Sequence, residues 1–421
     1  MLKDLNYGKV YNGYIALTTA VLCFSQKLSV LMIFGLFLLV LTGIFLKHLR
    51  FIRLLPNVLL LSIYLVYLVG ILFTNNETLA RLYAENKVSL LLLPLLFSFV
   101  PDFKLRITTL ALGLCSGITI AFLFGVGSIL TQGGQQTIQF TSVYISTVHH
   151  PTYTAMFATI ALFGAWWNFY KREDYFKPSW IIPFSLVALI LILLCLSLSG
   201  ILFLFLISAI LLLVLIWQKF DRRIFYFMCA GIPLSLFVLF RYAPGLKEDL
   251  AYTANSLFVF MRDPDTFVKT KTQYKTGNET RMVMWTVTLQ EILEHPLGVG
   301  TGNVDEHLSE RLALKGQLLL ARQDENGSIA FNPHNQYLQT TLETGILGGA
   351  VLLAWIISLI KLALRARDYW LLMIVCCFAF NALFESVLQR QSGILFIAFV
   401  CPLYTLFLNA EKGSEKKLTI E

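Results

Sequence analysis

The feature that most constrains this chain is a succession of apolar runs, each about as long as a lipid bilayer is thick. They lie near residues 11–25, 28–46, 54–73, 88–100, 107–130, 151–170, 180–198, 201–217, 224–240, 336–360, 369–388 and 392–408. A helix needs about 20 mostly apolar residues to cross the hydrocarbon core, and only helices or closed barrels satisfy their backbone groups there. Runs of this length predict helices, so the fold class is all-α: a polytopic integral membrane protein of about 12 transmembrane helices. Composition agrees, with 57% hydrophobic residues, 14% charged residues and a mean hydropathy of +0.70. These values exclude a soluble globular enzyme and a disordered chain. The seven cysteines (23, 115, 195, 229, 376, 377 and 401) all fall in apolar runs, so no disulfide is expected. The first run lacks a small-x-small cleavage site and is followed at once by another, so it reads as a retained span.

The basic residues predict orientation. With a cytoplasmic N-terminus, the inside segments carry 19 Lys and Arg, from Lys3 to Lys417. The short outside loops carry only Lys27, Arg81, Lys87 and Arg390. Both termini are then cytoplasmic, and the net charge of +8 reflects this bias rather than affinity for nucleic acid. The expected organisation is helices 1–9 over residues 1–240 and an extracytoplasmic loop over 241–335. Helices 10–12 follow over 336–408, with a cytoplasmic tail over 409–421. The loop holds 10 Lys/Arg and 12 Asp/Glu. At that length it is expected to fold as a small cap.

The polar residues of note gather at the outer face of this topology. Within the loop, residues 280–294 (TRMVMWTVTLQEILE) predict an amphipathic helix whose apolar positions are Val283, Val287, Leu289, Ile292 and Leu293. Arg281 and Trp285, four apart, share one face of it. The helix stops at His295-Pro296, and a glycine-rich turn runs to Asn303. The segment Asn332-Pro333-His334-Asn335-Gln336-Tyr337 leads into the tenth span, placing a titratable imidazole at the boundary. Glu343 lies two turns further on, and an ionisable group at that depth suggests function. Glu385 sits at the outer end of the eleventh span beside Gln389, Arg390 and Gln391. His149, His150 and Tyr153 open the sixth span.

Taken in order, Arg281-x-x-x-Trp285, HPLGVGTGN and PHNQYLQTTLETGILGG resemble the O-antigen ligase and polymerase family. HHPTY and ESVLQRQSG resemble its Bacteroidetes-type branch. The resemblance covers most of residues 140–408. It implies about twelve spans with a large periplasmic loop in the bacterial inner membrane. It also implies transfer of a glycan from an undecaprenyl diphosphate carrier to an acceptor. On this resemblance Arg281 binds the donor diphosphate and His334 is essential to transfer. The remaining candidate binding residues are Arg390, Trp285, Asn335, Glu343, Glu385, His150 and Tyr153. The family tends to carry a basic residue where this chain reads Gly200 in Ser197-Leu198-Ser199-Gly200. Arg390, Arg241 and Arg262 are the alternatives for a second cation, with Arg390 preferred.

Elementary chemistry asks for the same groups. A departing diphosphate gathers negative charge, which a planar, permanently charged guanidinium stabilises. An acceptor hydroxyl needs a base, a role open to neutral histidine. The donor is already activated, so no nucleotide, metal or other cofactor is expected. Asp263-Pro264-Asp265 mimics the metal-binding D-x-D of nucleotide-sugar transferases, but falls on the expected outer face, where nucleotide sugars are absent. The favoured reading is a ligase acting on lipid A–core in lipopolysaccharide biosynthesis. The alternatives are a polysaccharide polymerase, a transferase that glycosylates protein and, from a different class, a 12-span secondary transporter.

Overall fold

The computed structural model describes residues 7–132, 142–219, 244–271, 273–274, 277–324, 327–329 and 332–418. The ninth apolar run, 224–240, lies outside the described residues, as do Cys229 and Arg241. The described chain is mostly helical, as the apolar runs predict. Its N-terminal half holds α1 (Tyr7–Phe24), α2 (Gln26–Phe45), α3 (Leu55–Ile71), α4 (Glu77–Lys87), α5 (Ser89–Leu96), α6 (Ile107–Gln132), α7 (Ser142–Ile145), α8 (Pro151–Tyr170), α9 (Pro178–Leu194) and α10 (Leu198–Lys219). The long loop folds into α11 (Pro244–Arg262), α12 (Pro264–Thr270), α13 (Gly277–Glu294) and α14 (Val304–Leu314). The chain closes with α15 (Gln336–Ala366), α16 (Tyr369–Asn381), a 3-10 turn at Val387–Gln389, and α17 (Gln391–Leu418). Among the described residues, α2, α6, α15 and α17 are long and apolar enough to cross a membrane; α3, α9, α16 and much of α10 are shorter apolar helices.

Two expected spans are built differently. The fourth run, 88–100, contains only the short helix α5. It then turns into a strand, β2 (Phe99–Pro101), which pairs antiparallel with β1 (Leu49–Phe51), Arg50 opposite Val100. Pro94 inside α5 lacks the N–H that would continue the helix regularly. The eleventh run, 369–388, is helical only to Asn381, so Glu385 and its neighbours occupy a turn.

The bundle core runs from Tyr11 and Leu36 through Phe97, Phe157 and Trp355 to Phe396 and Phe399. A second apolar core lies in the loop region. Val268, Met284, Val287, Leu308 and Leu312 pack with Leu342 of α15, so the cap is built on a bundle helix. Val283 and Val287 of α13 face this core as the periodicity predicts, whereas Leu289 and Leu293 are exposed.

Backbone hydrogen bonds also join the cap to the bundle. Within α15, Gly345 leaves the helix (φ 76°, ψ 178°). The break frees the carbonyls of Leu342 and Glu343, which accept from Val299 N–H (2.9 Å) and Gly300 N–H (3.1 Å); Ile346 N–H donates to Pro296 O (3.0 Å). Such an approach needs glycine on both sides. A Cβ on Gly298 would lie 2.4 Å from Gly345 N, and one on Gly345 would lie 2.6 Å from the Leu297 carbonyl. The same turn closes α3. Thr301 N–H donates to Gly70 O (3.2 Å), and the Asn303 side chain accepts from Asn75 N–H (2.9 Å) while donating to Phe73 O (3.2 Å).

Gly298→Ala and Gly345→Ala are expected to add an overpacking cost of about 1–3 kcal/mol to the left-handed penalty of about 1–2 kcal/mol. Gly316→Ala, with φ +78° and nothing within 4 Å, should lose the left-handed penalty alone. Thermal unfolding of the purified variants in detergent separates the two classes, and equal losses at positions 298 and 316 would contradict the interlock.

Candidate functional site

Three segments distant in sequence meet at Glu385. Arg281 projects from the first turns of α13, and its Nη2 lies 3.3 Å from Glu385 Oε1. His334 precedes α15, and its Nδ1 lies 3.2 Å from Glu385 Oε2. His334 holds a left-handed backbone (φ 47°), stabilised by its N–H donating to Asn332 Oδ1 (2.8 Å). Asn335 then caps α15 by accepting from Leu338 N–H (3.1 Å), which commits its side-chain oxygen to the helix end. The turn carrying Glu385 is fixed to this segment. Gln336 N–H donates to Ala382 O (2.8 Å), Leu388 N–H to Gln336 Oε1 (2.5 Å), and Tyr337 Oη to Ala379 O (2.9 Å).

Glu385 is 7% exposed, so its charge is screened little by solvent. Burial pushes its carboxyl up, but the His334 hydrogen bond and the charges of His334, His150 and Arg281 more than offset that, holding it below the ordinary carboxylate range. An ionised carboxylate only accepts, so the facing Nδ1 of His334 carries a proton. With that proton on Nδ1, Nε2 is the ring nitrogen that can accept one. Arg281 Nη1 also reaches Asn278 Oδ1 (3.3 Å), while its buried Nε and the indole Nε1 of Trp285 have no hydrogen-bond partner among the described residues.

A small cleft beside Arg281 is lined by Thr152, Ser197, Ser199, Leu202, Asn278 and Phe384. Ser199 Oγ donates to Asn381 Oδ1 (2.9 Å). Gly200 does not line this cleft. A Cβ there would stand 2.8 Å from Ala155 Cβ, so the missing basic side chain has no room against α8. His150 is the N-cap of α8, with Nδ1 accepting from Thr152 N–H (3.4 Å) and its ring edge-on to the buried Tyr153. Burial lowers its pKa; Glu385 opposes that, while Arg390, His334 and Arg281 add to it, which places all five groups in one electrostatic neighbourhood. Arg390 is exposed, and the nearby Glu385 pairs with Arg281 and His334. Arg262 sits exposed in the last turn of α11.

Glu343 belongs to a second network. It is fully buried and pairs with the fully buried Lys87 at 3.6 Å, at the junction of α4 and α5. Gln389 bridges the two, donating to Glu343 Oε2 (2.7 Å) and accepting from Lys87 Nζ (2.8 Å). Gln339 donates to the same Glu343 oxygen (3.3 Å), and Lys87 lies over the rings of Tyr67 and Tyr83. By its place in the sequence Lys87 is one of the short-loop charges. Its one signal was a lysine placed where a polar helix meets an apolar run. The D-x-D letters resolve into structural roles: Asp263 caps α12, and Asp265 pairs with Lys315 (2.8 Å) and Gln290 (2.6 Å).

Removing one partner of a buried ion pair strands the other charge, at a cost of about 3–5 kcal/mol. Lys87→Met is therefore expected to lower stability by that amount, and Lys87→Met with Glu343→Gln to recover most of it. A double-mutant cycle on thermal unfolding checks the coupling; additive losses would remove it.

No curated protein matches the chain. A family model described as O-antigen ligase matches residues 183–353, a stretch that contains Arg281, Trp285, His334, Asn335 and Glu343 and stops short of Glu385 and Arg390. Over that stretch the chain is similar to O-antigen ligases, and four apolar helices of membrane-spanning length among the described residues point to a membrane protein.

Proposed function

We propose that this chain transfers a glycan from undecaprenyl diphosphate to a hydroxyl acceptor at the outer face of the bacterial inner membrane, with lipid A–core as the acceptor. The observation that carries the reading is the buried carboxylate of Glu385, which holds a guanidinium and an imidazole side by side. Arg281 binds the diphosphate through the donors that Glu385 and Asn278 leave free, and stabilises the charge that gathers there as the bond to the sugar breaks. His334 Nε2 takes the proton of the acceptor hydroxyl as its oxygen bonds to the anomeric carbon. Undecaprenyl diphosphate leaves with the bonding electrons. Glu385 fixes the tautomer and orientation of His334, as a carboxylate does for many catalytic histidines. Arg390, Trp285, His150 and Tyr153 border the donor and acceptor, and Arg390 supplies a second cation.

Purified protein given carrier-linked glycan and either lipid A–core or a second carrier-linked glycan tests the proposal. Transfer to lipid A–core supports the ligase, chain extension on the carrier would replace it with a polymerase, and no transfer to either would sink it. His334→Ala is expected to cut turnover by about 100-fold or more while sparing donor binding. Arg281→Ala should weaken both, and Arg390→Ala should cost about 2 kcal/mol of transition-state stabilisation. Donor binding that survives Arg281→Ala intact would remove the assigned role.

The proposed sidedness is checked separately. A cysteine introduced within residues 250–270 should react with a membrane-impermeant reagent in intact spheroplasts, and protection would reverse the orientation.

A further inference from the structure

Away from Glu385, one cluster in the cap joins two helices through three side chains able to ligate a metal. Glu291 stands in the last turn of α13, His295 directly follows that helix, and His307 stands in the first turns of α14. One oxygen, Glu291 Oε2, is 3.6 Å from His295 Nε2 and 3.2 Å from His307 Nδ1. The three ligand atoms all lie within 4.8 Å of one another. Tetrahedral zinc with bonds near 2.0–2.1 Å separates its ligand atoms by about 3.3 Å, so small side-chain rotations close the set.

The surroundings fit a cation. The other carboxylate oxygen, Glu291 Oε1, accepts from Arg311 Nε at 2.5 Å, which orients Oε2 toward the two rings. Arg311 is balanced by its pairing with Glu294, and Glu306 and Glu310 add negative charge around His307. The carboxylate is buried (side chain 4% exposed), whereas the His295 and His307 side chains are 41% and 28% exposed. A solvated ion can therefore approach from the histidine side and keep a water as its fourth ligand.

We infer that Glu291, His295 and His307 form a binding site for a divalent first-row transition metal of the zinc class, separate from the transfer site. Two imidazoles and one carboxylate are a donor set suited to such ions. The expectation of no metal rests on the activated donor and concerns the transfer step; here only the fold brings His307 to Glu291 and His295. A bound ion would clamp the start of α14 to the end of α13. Between them runs the glycine turn that hydrogen-bonds Gly70 and the break in α15, so the clamp stabilises the seat of the cap.

The test uses the full-length protein in detergent, stripped with chelator and titrated with Zn²⁺ and, as a spectroscopic probe, Co²⁺. The expected result is one equivalent bound, a visible Co²⁺ ligand-field absorption displaced by Zn²⁺, and a higher Tm with metal. His295→Ala, at the exposed position least able to disturb folding, should weaken Zn²⁺ binding by at least about tenfold and remove the Tm rise. Arg311→Lys keeps all three ligands and should weaken binding by about tenfold through the carboxylate's lost partner. Absence of stoichiometric binding, or binding that His295→Ala leaves unchanged, would overturn the site and leave an ion-pair network only.

Discussion

The placing of Arg281 against Glu385 depends on one backbone crossing. The turn at Gly298 lies directly against the break in α15 at Gly345, with no side chain between them. A broken helix normally leaves buried carbonyls and amides without partners, at a cost comparable to lost hydrogen bonds. Here the broken ladder is completed by Pro296, Val299 and Gly300 from the cap. The cap and the bundle thus satisfy each other's backbone, and neither arrangement is favourable without the other. Because α13 leads straight into that turn, the crossing also fixes the height at which Arg281 meets Glu385.

Two carboxylates divide the polar work of the site. Glu385 faces Arg281 and His334, both partly open to solvent. Glu343 faces Lys87 in a fully enclosed pair. The turn from Ala382 to Arg390 separates them, with Glu385 toward the cleft and Gln389 toward the enclosed pair. Buried polar networks are favourable only when nearly every member is satisfied, and they then hold one geometry strongly. Gln389, bonded to both Lys87 and Glu343, ties the Glu385 turn to the enclosed pair. A shift of that turn would disturb hydrogen bonds on both sides at once.

The sequence made the helices legible because membrane spans are written in long unbroken apolar runs, and most described helices begin and end close to those runs. It was less informative where structure depends on partners far along the chain. Strand β1 is three residues long and exists because β2 lies beside it. Glu385 was recognisable as an unusual charge, and Arg281 and His334 by family resemblance, but their meeting on one carboxylate depends on contacts spanning 104 and 51 positions. Lys87 was misread for the same reason. Alone it resembles any loop lysine, and only Glu343, Gln389 and two tyrosine rings make burial tolerable. The requirement at Gly200 was visible as a departure from the family, but its cause, the neighbouring Ala155, was not.

The break at Gly345 also fixes a depth. Before it, Gln336, Gln339, Thr340 and Glu343 are buried polar residues. Directly after it, Ile346 and Leu347 are 60% and 69% exposed, the first of a series of outward apolar side chains that continues through Leu353, Ile357 and Leu364. The stretch Ile346–Ala366 rises about 30 Å at 1.5 Å per residue, which is the thickness of the hydrocarbon core. The apolar, outward-facing part of α15 therefore starts at the break. Glu343 lies before it and is enclosed by protein, so its charge is met by Lys87 and Gln389 rather than by an apolar surface.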